Sequence, residues 1–177
     1  KVLGKEDVAK EIIKEGHEKY LPEINKLKGR FKGKRAYVTA GAAHGQALIQ
    51  LLREMGFEVI GASVFHHDPV YDSNDPDEDV LAQAVRVYGD VPNYHVCNKQ
   101  ACELVNALVK QKPDFIMARH GGMTLWGAKL GIPTLLIGDE QYGIGYQGAL
   151  NYARRIDETL DSIEFITNYS KHASIPY

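Results

Sequence analysis

Apolar positions recur along this chain in two patterns, a helical rhythm near 3.6 residues and short unbroken apolar runs. Val8, Ile12, Ile13, Leu21 and Ile24 hold the helical rhythm among Lys and Glu from Glu6 to Asn25, which predicts an amphipathic lead-in helix. The basic segment Lys26 to Arg35 follows and reads as a solvated connector rather than a nucleic-acid patch. Beyond it, short apolar runs predict strands near 35–40, 57–65, 93–98, 114–118 and 132–137. Between them the spacing predicts helices over Gln46–Met55, Asp77–Tyr88, Gln100–Gln111 and Met123–Leu130, then a long one from Tyr146 to about Leu160. Gly56 stops the first of these helices, and acidic residues open the second. No repeat or low-complexity segment interrupts the series.

Strands alternating with helices of this length are the mark of successive βαβ units, whose right-handed crossovers leave few arrangements. The predicted fold is α/β: a three-layer Rossmann-like domain with a parallel sheet of about five strands, preceded by an amphipathic helix. Residues 1–177 are expected to form a single domain, with lead-in helix and connector over 1–30, α/β core over 31–165 and a tail over 166–177. In such sheets ligands bind beyond the carboxyl ends of the strands, where the strand order reverses. That rule selects four loops: 41–45, 66–76, 119–122 and 138–145.

Gly41-Ala-Ala-His-Gly45 joins strand to helix through small residues, which let a ligand approach the backbone at a helix amino terminus. A tight turn made for packing alone has the same composition; His44 is the one side chain there able to titrate. In the second loop His66 and His67 adjoin Asp68, but neighbours at a strand end point to opposite faces, so one metal rarely takes both. A polar loop lining a shared cleft fits better than a dedicated metal site. Arg119-His120-Gly121-Gly122 offers a guanidinium for a carboxylate or phosphate and a backbone freed by paired glycines. Gly143-Ile-Gly-Tyr-Gln-Gly148 is a literal G-x-G-x-x-G, yet it stands several residues beyond the fifth strand, with no further strand after it. The dinucleotide fingerprint needs both features.

Composition narrows the function classes. A length of 177 residues suits one domain, and a net charge of -2 leaves no electrostatic footprint for nucleic acid or an acidic membrane. No apolar run approaches the ~20 residues that span a bilayer. Neither nucleic acid nor membrane is therefore expected as a partner. Two cysteines are too few for a disulfide framework and suit a reducing cytoplasm. Cys97 on a strand and Cys102 in the next helix form neither a redox pair nor a metal set, and are expected to be buried structural thiols. Trp126 and the tyrosines of the final helix read as core or interface aromatics. The chain opens at Lys1 with neither methionine nor signal peptide and stops just after Ile175-Pro176; the expectation is a domain excised from a longer multi-domain subunit.

Taken in order, the segments Phe31-Lys-Gly-Lys-Arg35, Met55-Gly-Phe-Glu-Val59 and Phe65-His-His-Asp-Pro-Val-Tyr-Asp72 resemble the nitrogenase component 1 family. Lys112-Pro-Asp114, Leu130-Gly-Ile-Pro133, Gly145-Tyr-Gln-Gly148 and the helix with Ala153-Arg-Arg extend the resemblance over nearly the whole chain. It is to the molybdenum-iron protein α chains and their cofactor-assembly relatives, and to the last Rossmann-like domain of a three-domain subunit. The resemblance implies a parent oxidoreductase of nitrogen fixation type, or an assembly scaffold, fed by an iron–sulfur reductase partner and paired with a homologous second subunit. This domain would wall part of an iron–sulfur metallocluster pocket, of molybdenum-iron type or a relative, and share a subunit interface. The wall loops would be Gly41 to Gly45 and Gly138 to Gly145. The α chains carry an arginine where His44 stands. They also use a histidine ligand after the fifth strand, and Thr134 to Gln141 contains none. The cofactor-contacting candidates are thus Gly41, Ala42, His44, Gly45, His66, His67, Arg119, His120 and Gly138, with no metal ligand among them. The isolated domain is expected to bind no iron and to lack activity. Thr39-Ala-Gly-Ala-Ala-His-Gly45, an aliphatic helix and Gly56-Phe-Glu-Val59 also resemble the opening of a sugar-nucleotide-binding glycosyltransferase half, and the first loop would suit a non-enzymatic nucleotide-binding module.

Overall fold

The computed structural model describes residues 4–64, 75, 77, 79–96, 101–138 and 144–173. Helix α1 (Glu6–Phe31) leads into strand β1 (Arg35–Ala40), followed by α2 (Ala42–Glu54), β2 (Glu58–Val64) and α3 (Val80–Tyr88). Then come β3 (Tyr94–Val96), α4 (Ala101–Gln111), β4 (Phe115–Ala118), α5 (Gly121–Leu130) and β5 (Thr134–Leu136). Helices α6 (Gly145–Asp161) and α7 (Ile163–His172) complete the described chain. The five strands form one sheet in the order β3-β2-β1-β4-β5, with every pairing parallel. The expected Rossmann-like α/β class is the fold adopted.

Side chains of successive strand residues divide between the two faces and make a core on each. On one face Ala36, Val38, Ala40, Val64, Phe115 and Met117 pack with Phe31 of α1, Ile49 and Leu52 of α2, and Ala153 and Ile156 of α6. On the other, Tyr37, Ile116 and Ala118 pack with Leu104 and Leu108 of α4 and with Ile132. Each large side chain so buried contributes roughly 1.5–3 kcal/mol.

Two elements differ from the sequence expectation. The stretch from Lys26 is not a connector: Ile24, Leu27 and Phe31 continue the apolar stripe, so α1 runs on until Phe31 is fully buried. Helix α7 occupies residues where no helix was predicted and packs against α5. Gly131 between them, at φ 74, caps α5 in the left-handed region that glycine tolerates. Gly127 in α5 lies directly on β5; a Cβ there would collide with Thr134 Oγ1 and sit 3.0 Å from the Ile132 carbonyl oxygen. Two residues after it, Lys129 holds its ammonium 5.5 Å from the centre of the Trp126 ring.

Helix α1 runs parallel to α6. A Cβ on Gly16 would stand 2.5 Å from the Tyr146 ring, which His17 meets edge-on at 5.2 Å and Tyr20 stacks at 6.3 Å between centroids. Further along, Arg154 donates to both carboxylate oxygens of Glu23 at 2.7 Å. Arg30 donates to Asp157 and Asp161 at 2.6 Å each. Burial pushes the Asp157 carboxyl up by more than Arg30 pulls it down. Since α6 starts at the carboxyl edge of the sheet, the residues of α1 before Gly16, all exposed, project past that edge. Ten residues at 1.5 Å each make a projection of about 15 Å.

Candidate functional site

The strand order reverses between β1 and β4, because β1 is followed by a crossover to β2 on one side and β4 by a crossover to β5 on the other. The helices leaving these two strands diverge and open a crevice at the carboxyl edge. Thr39 pairs with Ala118, and the Arg119 N–H donates to the Thr39 carbonyl at 2.9 Å. Gly41 and His120 therefore leave neighbouring strand ends. Each is the N-cap of its helix in extended backbone, Gly41 at φ -63 and His120 at φ -109, and the His120 side chain makes no cap hydrogen bond. First-turn amides of a helix generally lack intrahelical acceptors, although in α5 the Met123 N–H donates to the His120 carbonyl at 2.9 Å, and each helix end carries roughly half a positive charge. A Cβ placed on Gly41, Gly121 or Gly122 would meet nothing within 4 Å. This edge thus presents two helix amino termini with their dipoles, and an added Cβ on any of the three glycines would meet no described neighbour.

The predicted 41–45 loop is the first turn of α2. Alanine is the strongest helix former, so residues 42 and 43 enter the helix directly after Gly41, and the Gly45 N–H donates to the Gly41 carbonyl at 2.6 Å. Ala42 thereby contributes its backbone to the helix end, and His44 stands exposed on the same turn. Gly45 is placed otherwise: it is buried, with Val64 3.3 Å from where its Cβ would be, and its small size seats α2 on β2. Arg119 is half-buried and donates to the Ile137 carbonyl at 3.3 Å, tying the exit of β4 to the end of β5. The Ile137 N–H donates to Ala118 at 2.7 Å, which brings Gly138 to the same edge. His120 is exposed beside it. His66, His67 and Cys97 lie outside the described residues. Cys102 is exposed, not a buried structural thiol, because the first turn of α4 turns it away from the Leu104–Leu108 stripe.

Two polar residues near this edge escaped the sequence reading. Thr39 Oγ1 and Gln46 Nε2 are buried without a hydrogen-bond partner. Gln46 shares the buried face of α2 with Ile49, and a glutamine in phase with core residues was the signal available. Among the described residues no group of three or more His, Cys, Asp or Glu is placed to hold a metal ion, and no helix is long and apolar enough to cross a membrane.

Comparison with known proteins adds the family. The model of the nitrogenase component 1 type oxidoreductases matches residues 1–161. The nitrogenase molybdenum-iron protein alpha chain of Methanothermobacter thermautotrophicus is 34% identical over 159 residues, 86% of this chain and 31% of that protein. The protein of the same name from Methanothermobacter marburgensis is 32% identical with the same coverage, and that of Methanococcus maripaludis 26% identical over 162 residues. This chain spans about a third of the length of these curated relatives. The solved nitrogenase Cp1 at pH 6.5 superposes with a TM-score of 0.67 at 15% identity, over 86% of this chain and 34% of that one, which supports the fold. The glycosyltransferase alternative is not favoured by these matches. The chain belongs to the nitrogenase component 1 type oxidoreductase family.

Proposed function

We propose that this chain forms one wall of an iron–sulfur metallocofactor pocket, together with a subunit interface, in a nitrogenase-like oxidoreductase or its cofactor-assembly homologue. The observation that carries the proposal is the convergence of the α2 and α5 amino termini at the strand-order reversal, with open space over Gly41, Gly121 and Gly122. The described residues fit the group as a wall, not as its anchor. They supply helix dipoles, backbone N–H groups and the side chains of His44, Arg119 and His120, whereas the thiolates that usually hold such clusters would come from elsewhere. When bound, an iron–sulfur cofactor supplies electrons and exchangeable coordination positions for substrate.

This chain's own part is electrostatic and positional. Helix ends aimed at an anionic cluster offset its charge, and hydrogen bonds to cluster sulfur from imidazole or guanidinium N–H raise its reduction potential. Arg119 fixes the geometry by holding the ends of β4 and β5 together. Gly41 and the Gly121-Gly122 pair let the wall come close without side chains in the way. The partners implied are other domains or subunits that complete the pocket, and an iron–sulfur reductase as electron source.

The test is metal content of anaerobically purified assembled protein carrying His44→Ala, His120→Ala or both. Loss of molybdenum or iron with an unchanged melting transition is the expected result, since exposed loop and cap side chains carry little packing. Full occupancy and an unaltered cluster spectrum in the double variant would remove this edge from the pocket. The chain by itself is expected to be colourless, with no stoichiometric iron by elemental analysis.

A further inference from the structure

Parallel sheets are ordinarily apolar on both faces, because helices cover both. Here one face breaks that rule at its β2–β3 end. The strand register sets Thr39, Ser63 and His95 side by side in one row across β1, β2 and β3. All three are polar, and their row lies on the face of Tyr37, whose hydroxyl hydrogen-bonds Ser63 Oγ at 2.8 Å. Helix α4 covers this face only in part. Its apolar stripe, Leu104 and Leu108, packs toward β1 and β4, while the neighbouring stripe turned toward β2 and β3 carries Glu103, Asn106, Lys110 and Gln111. Between the polar stripe of the helix and the polar row of the sheet lies a cavity of about 430 Å³. Its floor is Ser63, His95 and Asn93, the last steered by donation of its Nδ2 to the Ile60 carbonyl at 3.0 Å.

We infer that this cavity is a binding site for a small, neutral, hydroxyl-rich molecule of polyol or monosaccharide type. The volume falls within the range of small-molecule sites, roughly 300–1,000 Å³. The two charged groups, Glu103 and Lys110, are of opposite sign and leave no net attraction for an ion. What remains is three carboxamides, a hydroxyl and an imidazole, groups that mostly donate and accept at once. A ligand hydroxyl does the same, so a ring bearing several of them matches both walls, whereas an anion would leave the acceptors unmatched. The lining shares no residue with the proposed cofactor wall: it is bounded by α4 and the β2–β3 end of the sheet.

The experiment is a titration of the ¹⁵N-labelled chain with myo-inositol, followed through the amide resonances of Ser63, His95, Asn106 and Lys110. Inorganic phosphate and glycine betaine serve as the anionic and zwitterionic comparisons. Saturable shifts at these residues with myo-inositol are expected, with neither comparison reproducing them. Two variants should each weaken binding by about tenfold or more, one by occupying the space and one by losing one or two hydrogen bonds. Ala107→Met fills the cavity, and Asn106→Leu removes an exposed amide that the fold does not use. No saturable shift up to about 100 mM, well above the range expected for so small a ligand, overturns the inference. So does a response to phosphate or betaine in place of the polyol, or undiminished binding in both variants.

Discussion

Alanine in place of glycine has a different expected outcome at Gly29, Gly16 and Gly127, although all three lie in helices. At Gly29 an added Cβ meets nothing within 4 Å, so Gly29→Ala should gain roughly 0.5–1 kcal/mol of stability from helix propensity and a less flexible unfolded chain. At Gly16 the same methyl meets the Tyr146 ring, which His17 and Tyr20 hold in place, so Gly16→Ala should lower stability despite its better propensity. At Gly127 the obstacle is Thr134 of β5 and the Ile132 backbone just before that strand, which cannot swing aside, and Gly127→Ala should cost more than about 2 kcal/mol. Urea denaturation of the three variants tests the ranking; a stabilised Gly16→Ala would show that Tyr146 is free to move. Gln46→Met belongs at this scale too. Its buried Nε2 has no partner, so an apolar side chain of similar length should stabilise by about 1 kcal/mol in the same assay.

Between elements, the α1–α6 pair joins the lead-in helix to the body through side chains far apart in sequence, and its ion pairs make that joint depend on pH. The hydrogen bonds from Arg154 hold the Glu23 carboxyl below its ordinary value, so this contact is present above the usual carboxylate range and lost on acidification through the lowered value. Asp157 behaves oppositely. Burial raises its carboxyl, so its protonated form suits the fold and the stability it gives is lost as pH rises through that raised value. Arg30 is the group that opposes the rise. Arg30→Ala should therefore destabilise little near pH 4, about the ordinary aspartate value, and visibly more near pH 7. Denaturation midpoints at the two pH values check this, and an equal loss at both would assign the contact to packing alone. Neither the contact nor α7 was legible beforehand, for one reason: both depend on which helices become neighbours. The strands were legible because buried parallel strands are apolar on both faces and stand out as runs, so β1 falls at 35–40 as predicted. The edge carrying the site was legible from topology, but its conformation was not. Small residues after β1 read as a turn, whereas Ala42 and Ala43 extend α2 to the strand end. Gly45 read as a ligand contact, although glycine serves equally where a helix must sit close to a strand.

At the scale of the whole molecule, the free half of α1 stands outside the fold. Val8, Ile12 and Ile13 are 57%, 61% and 47% exposed on it, and the first buried residue is Gly16. Replacing Val8 and Ile12 with Lys should leave the unfolding free energy within about 0.5 kcal/mol of the unaltered chain, as for surface positions without partners. A larger loss, read from the same urea curves, would mean that this half of the helix folds back on the body. The division of labour is then plain in space: one core on each sheet face, an arm past the carboxyl edge, and two helix ends at the strand-order reversal. Helix α5 contributes one of those ends, and it also carries Trp126, the single tryptophan of the chain. Its indole sits five residues from the first glycine of the helix, under the Lys129 ammonium, along the axis on which any charge arriving at the crevice would act. The protein therefore has an optical probe of its own crevice built in: ultraviolet emission from one indole, with no label attached, should change colour when an anion docks at the head of α5.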